Sequence, residues 1–226
     1  MCIRDRGVAI LVGDLAFVFA DQLMAAAPPA AWAVWNELRV ELNVGQLLDI
    51  IGSVRRDRTV PKAERICRYK SGKYTIERPL HLGAVLADPE HGAELFAALS
   101  AYGLPLGDAF QMRDDVMGAF GSTAETGKPV GDDLREGKPT PLLATAYAAA
   151  TPAQREVLDF VGGPLDEEAV ARVQQAIADT GALATMEARI AALRDEAVAA
   201  LDAVPAGRAV RDELAALAVY VTDRVT

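Results

Sequence analysis

The sequence predicts an all-α fold. It is alanine-rich and 51% hydrophobic over 226 residues. It lacks any long alternation of β-branched or aromatic residues with polar ones, the pattern of a half-buried strand. Proline, glycine and capping residues also divide it into pieces of helical length.

The elements follow in order. Residues 1–6, Met-Cys-Ile-Arg-Asp-Arg, carry no apolar helical period, and Gly7 then opens an apolar helix with no capping residue before it. They are expected to be a foreign or misread leader, with the domain occupying 7–226. The stretch 7–20 is too short and too interrupted by Asp14 to cross a bilayer, so no transmembrane segment is expected. It is expected to be a buried core helix. Pro28-Pro29 separates it from a second helix over 30–54. A polar break follows, with Thr59 as a cap and Pro61 early in the next helix. Helices are then expected over 62–70 and on to about 86, the latter bent at Pro79. Asp88-Pro89 should start a long helix, kinked near Gly103 and Pro105. Residues 121–138 form a Gly-, Asp- and Lys-bearing loop, too long to be a plain connector. Helices close the chain at 139–150, 152–161, 166–180, 182–203 and 207–224, the last three with charged faces and alanine-rich apolar ones.

A formal net charge of −9 argues against nucleic acid as the main partner. Cys2 and Cys67 have no metal-binding spacing. Free thiols in a reducing, cytoplasmic compartment are expected. His81 and His91 stand alone and read as ordinary histidines.

The chemistry concentrates in Phe110-Gln-Met-Arg-Asp-Asp-Val-Met-Gly-Ala-Phe-Gly121. Gln111, Asp114, Asp115 and Gly118 fall at i, i+3, i+4 and i+7, one stripe of a helix whose other positions are mostly apolar. Adjacent carboxylates in such a setting are costly to bury without compensation. Mg²⁺, which takes oxygen ligands and bridges carboxylates to phosphates, is the usual compensation. Thr126-Gly-Lys-Pro-Val-Gly-Asp-Asp-Leu-Arg-Glu-Gly-Lys138 then brings lysines and further carboxylates. Metal-binding acids followed by such a loop suggest a diphosphate site. It is not a P-loop, because the Gly-Lys pair lacks the required pattern after a strand.

Two earlier segments add to this. Glu41, Gly45 and Asp49 form a polar stripe at i, i+4 and i+8, with Gln46 beside them. Tyr69-Lys-Ser-Gly-Lys-Tyr-Thr-Ile-Glu-Arg-Pro79 places Lys70, Lys73 and Tyr74 on one face. Ser71 and Gly72 there would let a large anion approach the backbone.

These segments, together with Ile10-Leu-Val-Gly-Asp14, occur in an order that resembles the trans-type polyprenyl synthetase family, the isoprenyl diphosphate synthases. The likeness runs from Gly7 to the C-terminus. Arg135-Glu-Gly-Lys138 after Asp-Asp-Leu is similar to bacterial members that make geranylgeranyl or longer diphosphates. The resemblance implies an isoprenoid-synthase-type helical bundle around a central cavity, here missing its N-terminal helices, and a homodimer. It implies an Mg²⁺-dependent prenyltransferase that condenses isopentenyl diphosphate with an allylic diphosphate. Asp114 would bind metal directly, and Asp115 would support it or hold metal-bound water. Lys70, Ser71, Gln111 and Lys128 would contact the diphosphate, with Lys138 adding positive potential. Gln46 and Asp49 would line the elongation cavity.

Two departures stand out. The third aspartate of the family's second aspartate-rich motif is Gly118 here, which implies weaker coordination. The first motif, Asp-Asp-x-x-Asp followed by Arg-Arg-Gly, is absent from the sequence, so weak or no prenyl transfer is expected from residues 1–226 alone. A non-catalytic partner subunit and a terpene cyclase are the alternative expectations.

Overall fold

The computed structural model describes residues 3–55, 58–90, 93–122 and 129–223. Lys128 and His91 lie outside them, so the roles expected for those residues are not located. Every regular element among the described residues is helical: α1 (Ile3–Met24), α2 (Pro29–Arg55), α3 (Val60–Cys67), a π-helix (Arg68–Glu77), α4 (Arg78–Ala87), α5 (Ala93–Phe120), α6 (Asp132–Glu136), α7 (Pro141–Ala149), α8 (Pro152–Leu158), α9 (Glu167–Asp179), α10 (Ala182–Ala200), a 3₁₀ turn (Leu201–Ala203) and α11 (Arg208–Thr222).

Local chemistry sets most of the boundaries. Thr59 is extended before α3, with Pro61 in the first turn. Thr140 accepts from Leu143 N ahead of Pro141 at α7. Thr151 and Gln154 form a reciprocal capping box on α8, and Asp166 caps α9 by accepting from Ala169 N. Gly131 and Gly137 take φ of 71° and 67° to bracket α6, a conformation that disfavours side chains. The long helix does not start at Asp88-Pro89. Asp88 is extended beyond α4 and accepts from Glu90 N in a turn, so α5 begins at Ala93. It then runs unbroken through Gly103 and Pro105.

The π-helix differs most from expectation. Helices over 62–70 and beyond are replaced by α3, ten π-helical residues and α4. Glycines let this wider segment wedge between neighbours. A Cβ on Gly45 of α2 would stand 2.3 Å from Lys70 N, and one on Gly107 of α5 would stand 2.4 Å from Gly72 O.

One core surrounds Met112 and Val116 of α5, with Leu142, Leu143, Ile177 and Ile190. A second holds Leu99, Tyr102 and Leu106 of α5 with Ile76, Leu201 and Val221. Buried Tyr102 donates its Oη to Leu214 O at 2.7 Å.

The expectation for 7–20 is corrected. The helix starts at Ile3 rather than Gly7, and Ile10, Leu11 and Val18 are exposed rather than buried. Asp21 ties its end to α2, accepting from Trp35 Nε1 at 3.0 Å and Arg39 Nη1 at 2.8 Å. Arg4–Met24 is also long and apolar enough to match a bilayer span, by length and composition only. Apolar composition marks a helix to be covered without saying what covers it.

Candidate active site

The carboxylate stripe of α5 faces α3, the π-helix and the α6–α7 turn across a cleft of about 200 Å³. The structure brings Asp49, Lys70, Ser71, Gln111, Asp114, Asp115 and Lys138 to its walls. Gln46 does not join them; it is exposed on α2 outside this cleft.

The acids are not equivalent. Asp114 is exposed, whereas Asp115 is buried and accepts from Gln111 Nε2 at 2.8 Å. Burial pushes the Asp115 carboxyl up to about 8, and the nearby negative charges of Asp133 and Asp114 add to the rise against the Gln111 hydrogen bond. Lys70 is engaged by Asp49 at 2.7 Å, a partly buried pair that fixes its ammonium at the rim. Lys138 pairs with Asp133 and, at 2.9 Å, with Glu136. Burial opposes its charge, but those two carboxylates hold its ammonium above the usual lysine range.

Arg113 does not pair with the acids beside it. It donates to both oxygens of Glu187 at 2.7 and 2.6 Å and to Thr222 O at 2.7 Å, pinning the end of α11 to the acid-bearing helix.

Asp133, one of the two loop carboxylates that the sequence associates with an anion or metal–anion role without singling it out as a ligand, stands at the candidate site. It is buried on α6, lines the cleft and lies near Asp132 and Glu136, one oxygen of each within 4.8 Å of the others. A Cβ on Gly118 would come within 2.1 Å of Asp133 Oδ2. The position where a third aspartate was expected on α5 is therefore filled by a carboxylate from the following loop. Its sequence signal was the Asp132-Asp133 pair; its link to Gly118 needs the folded chain.

An all-α bundle that gathers aspartates and two lysines around one cleft defines a protein suited to a divalent cation and a polyphosphorylated ligand. The polyprenyl synthetase family model matches residues 2–180, and the chain belongs to that family. It is 33% identical over 227 residues to a geranylfarnesyl diphosphate synthase of Aeropyrum pernix, covering 96% of this chain and 70% of the relative. The geranylgeranyl pyrophosphate synthase of Corynebacterium glutamicum, solved with isoprenyl diphosphate and magnesium, superposes with a TM-score of 0.92 at 40% identity. That match covers 97% of this chain and 64% of the other. A polyprenyl synthase of Caulobacter crescentus CB15, solved with calcium and isoprenyl diphosphate, gives 0.86 at 29% identity, covering 97% of this chain and 67% of the other.

Proposed function

We propose that this chain takes part in prenyl transfer, lengthening an allylic diphosphate by addition of isopentenyl diphosphate. The observation that carries the reading is the cleft itself, which gathers Lys70, Ser71, Gln111, Asp114, Asp115, Asp133 and Lys138 in a member of this family. The magnesium and isoprenyl diphosphate bound by the Corynebacterium relative support the ligand class.

The donor set fits Mg²⁺: hard oxygen ligands, one exposed and two buried, with the Asp115 carboxyl raised by burial first and by its neighbours Asp133 and Asp114 next. Asp114, Asp115 and Asp133 would hold it. When bound, the ion neutralises diphosphate charge. The chain's own groups do the rest. Lys70 and Lys138 place positive charge where the departing diphosphate gathers electrons as the allylic C–O bond breaks. Ser71 presents a hydroxyl, and Gln111 orients Asp115. The isopentenyl double bond then attacks the allylic carbon, a new C–C bond forms, and a proton passes to the released diphosphate. Ala63, Ile66 and Pro141 give the wall an apolar part that limits water.

The homodimer belongs to the same reading. Its support is the exposed apolar face of α1, which a second copy would cover. A cytoplasmic setting is supported by the buried free thiol of Cys67.

Calorimetric titration with inorganic pyrophosphate in the presence and absence of Mg²⁺ tests the cleft. Binding that requires Mg²⁺ and is lost in Asp114→Ala is expected. Mg²⁺-independent binding, or none, would overturn the assignment.

A further inference from the structure

A charged network lies beyond the cleft, between α2, the π-helix, α4 and α5. Glu41 of α2 accepts from Lys73 Nζ and from Arg78 through Nε at 2.7 Å and Nη2 at 2.9 Å. Arg78 also donates to Glu37 at 2.7 Å and contacts His81 Nδ1 at 3.2 Å. Ser100 Oγ donates to Glu77 at 2.8 Å and meets His81 Nε2 at 3.0 Å. Glu41, Lys73, Glu77 and Arg78 all have mostly buried side chains, so this is not a solvated surface cluster. Glu77 Oε2 is buried without a hydrogen-bond partner, 3.6 Å from Lys73 and 3.8 Å from Arg78. None of these four charged groups lines the cleft.

The spacing of the two cations that share Glu41 is informative. Lys73 and Arg78 are five residues apart, and Arg78 N donates to Lys73 O, the bond that defines a π-helix. On an α-helix, residues five apart point about 140° away from each other. The π register turns the two back to the same side of the segment, the side that faces Glu41, and in this structure Glu41 takes both.

The same α2 stripe reads the segment at two further points. Gly45 abuts the backbone of Lys70, and Asp49 accepts from the Lys70 ammonium at 2.7 Å. We infer that Glu41, through Lys73 and Arg78, is a positioning clamp that selects the π register and so holds Lys70 and Ser71 at the cleft. The part that concerns ligand rests on the diphosphate reading of that cleft. The part that concerns register does not.

The test combines hydrogen exchange over residues 68–77 with calorimetry using inorganic pyrophosphate and Mg²⁺, on Glu41→Gln, Lys73→Met and Lys73→Arg. Glu41→Gln and Lys73→Met should speed exchange in 68–77 while α10 keeps its protection, and Lys73→Arg should restore the parent pattern. Pyrophosphate affinity should fall roughly tenfold in the first two, the scale seen when a partner that orients a binding group is removed. Unchanged exchange in 68–77, or loosening spread equally over α10, overturns the clamp. A parent chain that takes no pyrophosphate overturns the cleft reading and the ligand part with it, and exchange alone then decides the register.

Discussion

Gly118 and Asp133 occupy one space: a β-carbon on the glycine would fall 2.1 Å from the aspartate's Oδ2. The glycine leaves room for a carboxylate supplied from α6, which Lys138 holds in place. Gly118→Ala should gain up to about 1 kcal/mol of helix propensity. It should also displace Asp133 from the cleft and break its pair with Lys138, so Mg²⁺-dependent pyrophosphate affinity should drop roughly tenfold, on the scale of lost metal-site partners, and the melting temperature should hold or fall. Parental affinity in that variant would remove Asp133 from the site. Gly118→Asp should fare no better than alanine.

Asp115 predicts a pH signature. Its carboxyl is pushed up to about 8 from an ordinary 3.8, by burial first and by Asp133 and Asp114 next. The folded chain thus keeps a proton that the unfolded chain releases. This group's contribution to stability should fall as pH rises from about 4 to about 8 and level off above that. Mg²⁺ binding at pH 7 should release close to one proton. Calorimetry in buffers of different ionisation enthalpy would measure it, and Asp115→Asn should abolish the release. Equal heats in all buffers at pH 7 would mean that Mg²⁺ displaces no proton from Asp115.

Two glycines should respond oppositely to alanine. At Gly45 the new carbon would meet Lys70 N at 2.3 Å and Tyr69 C at 2.4 Å, both backbone atoms that cannot rotate aside. Gly45→Ala should cost about 1–3 kcal/mol, as overpacking does. At exposed Gly83 nothing lies within 4 Å, and alanine should raise the melting temperature by about 2–4 °C for about 1 kcal/mol. Thermal melts of the two variants would check the contrast. A Gly45→Ala chain as stable as the parent would mean that α2 and the π-helix do not pack this closely.

The exposed face of α1 supplies a further test. Leu11→Lys and Leu15→Lys place charges on a surface whose apolar residues have no cover within the described chain. If two copies share this face, the mass by light scattering should fall from dimer to monomer in the double variant, with helicity unchanged. A parent that is monomeric at high concentration would remove the second copy as the occupant.

Much of the fold and most of the cleft were legible because their signals are short-range. Thr140-Pro141, Thr151 to Gln154 and Asp166 announce helix starts through bonds made within one turn. The i, i+3, i+4 spacing of Gln111, Asp114 and Asp115 sets one helical stripe whatever surrounds it, and Asp115 accepts from Gln111 as that spacing allows. Glu41, Gly45 and Asp49 were legible as a stripe, though its object, the π-helix, was not.

The sequence by itself determined the helical class, the order of the helices and the residue types that supply charge to the cleft. Only the tertiary structure decided that Asp133 stands over Gly118, that Lys70 is held by Asp49, that residues 68–77 wind as a π-helix and that Gln46 and α1 face outward. The physical reason is one of range. Helical period and capping depend on neighbours within a turn, whereas these relationships join residues about fifteen to forty positions apart. Which groups meet across that distance is set by how closely glycine lets two backbones approach, and by which carboxylate finds its cations when the helices pack.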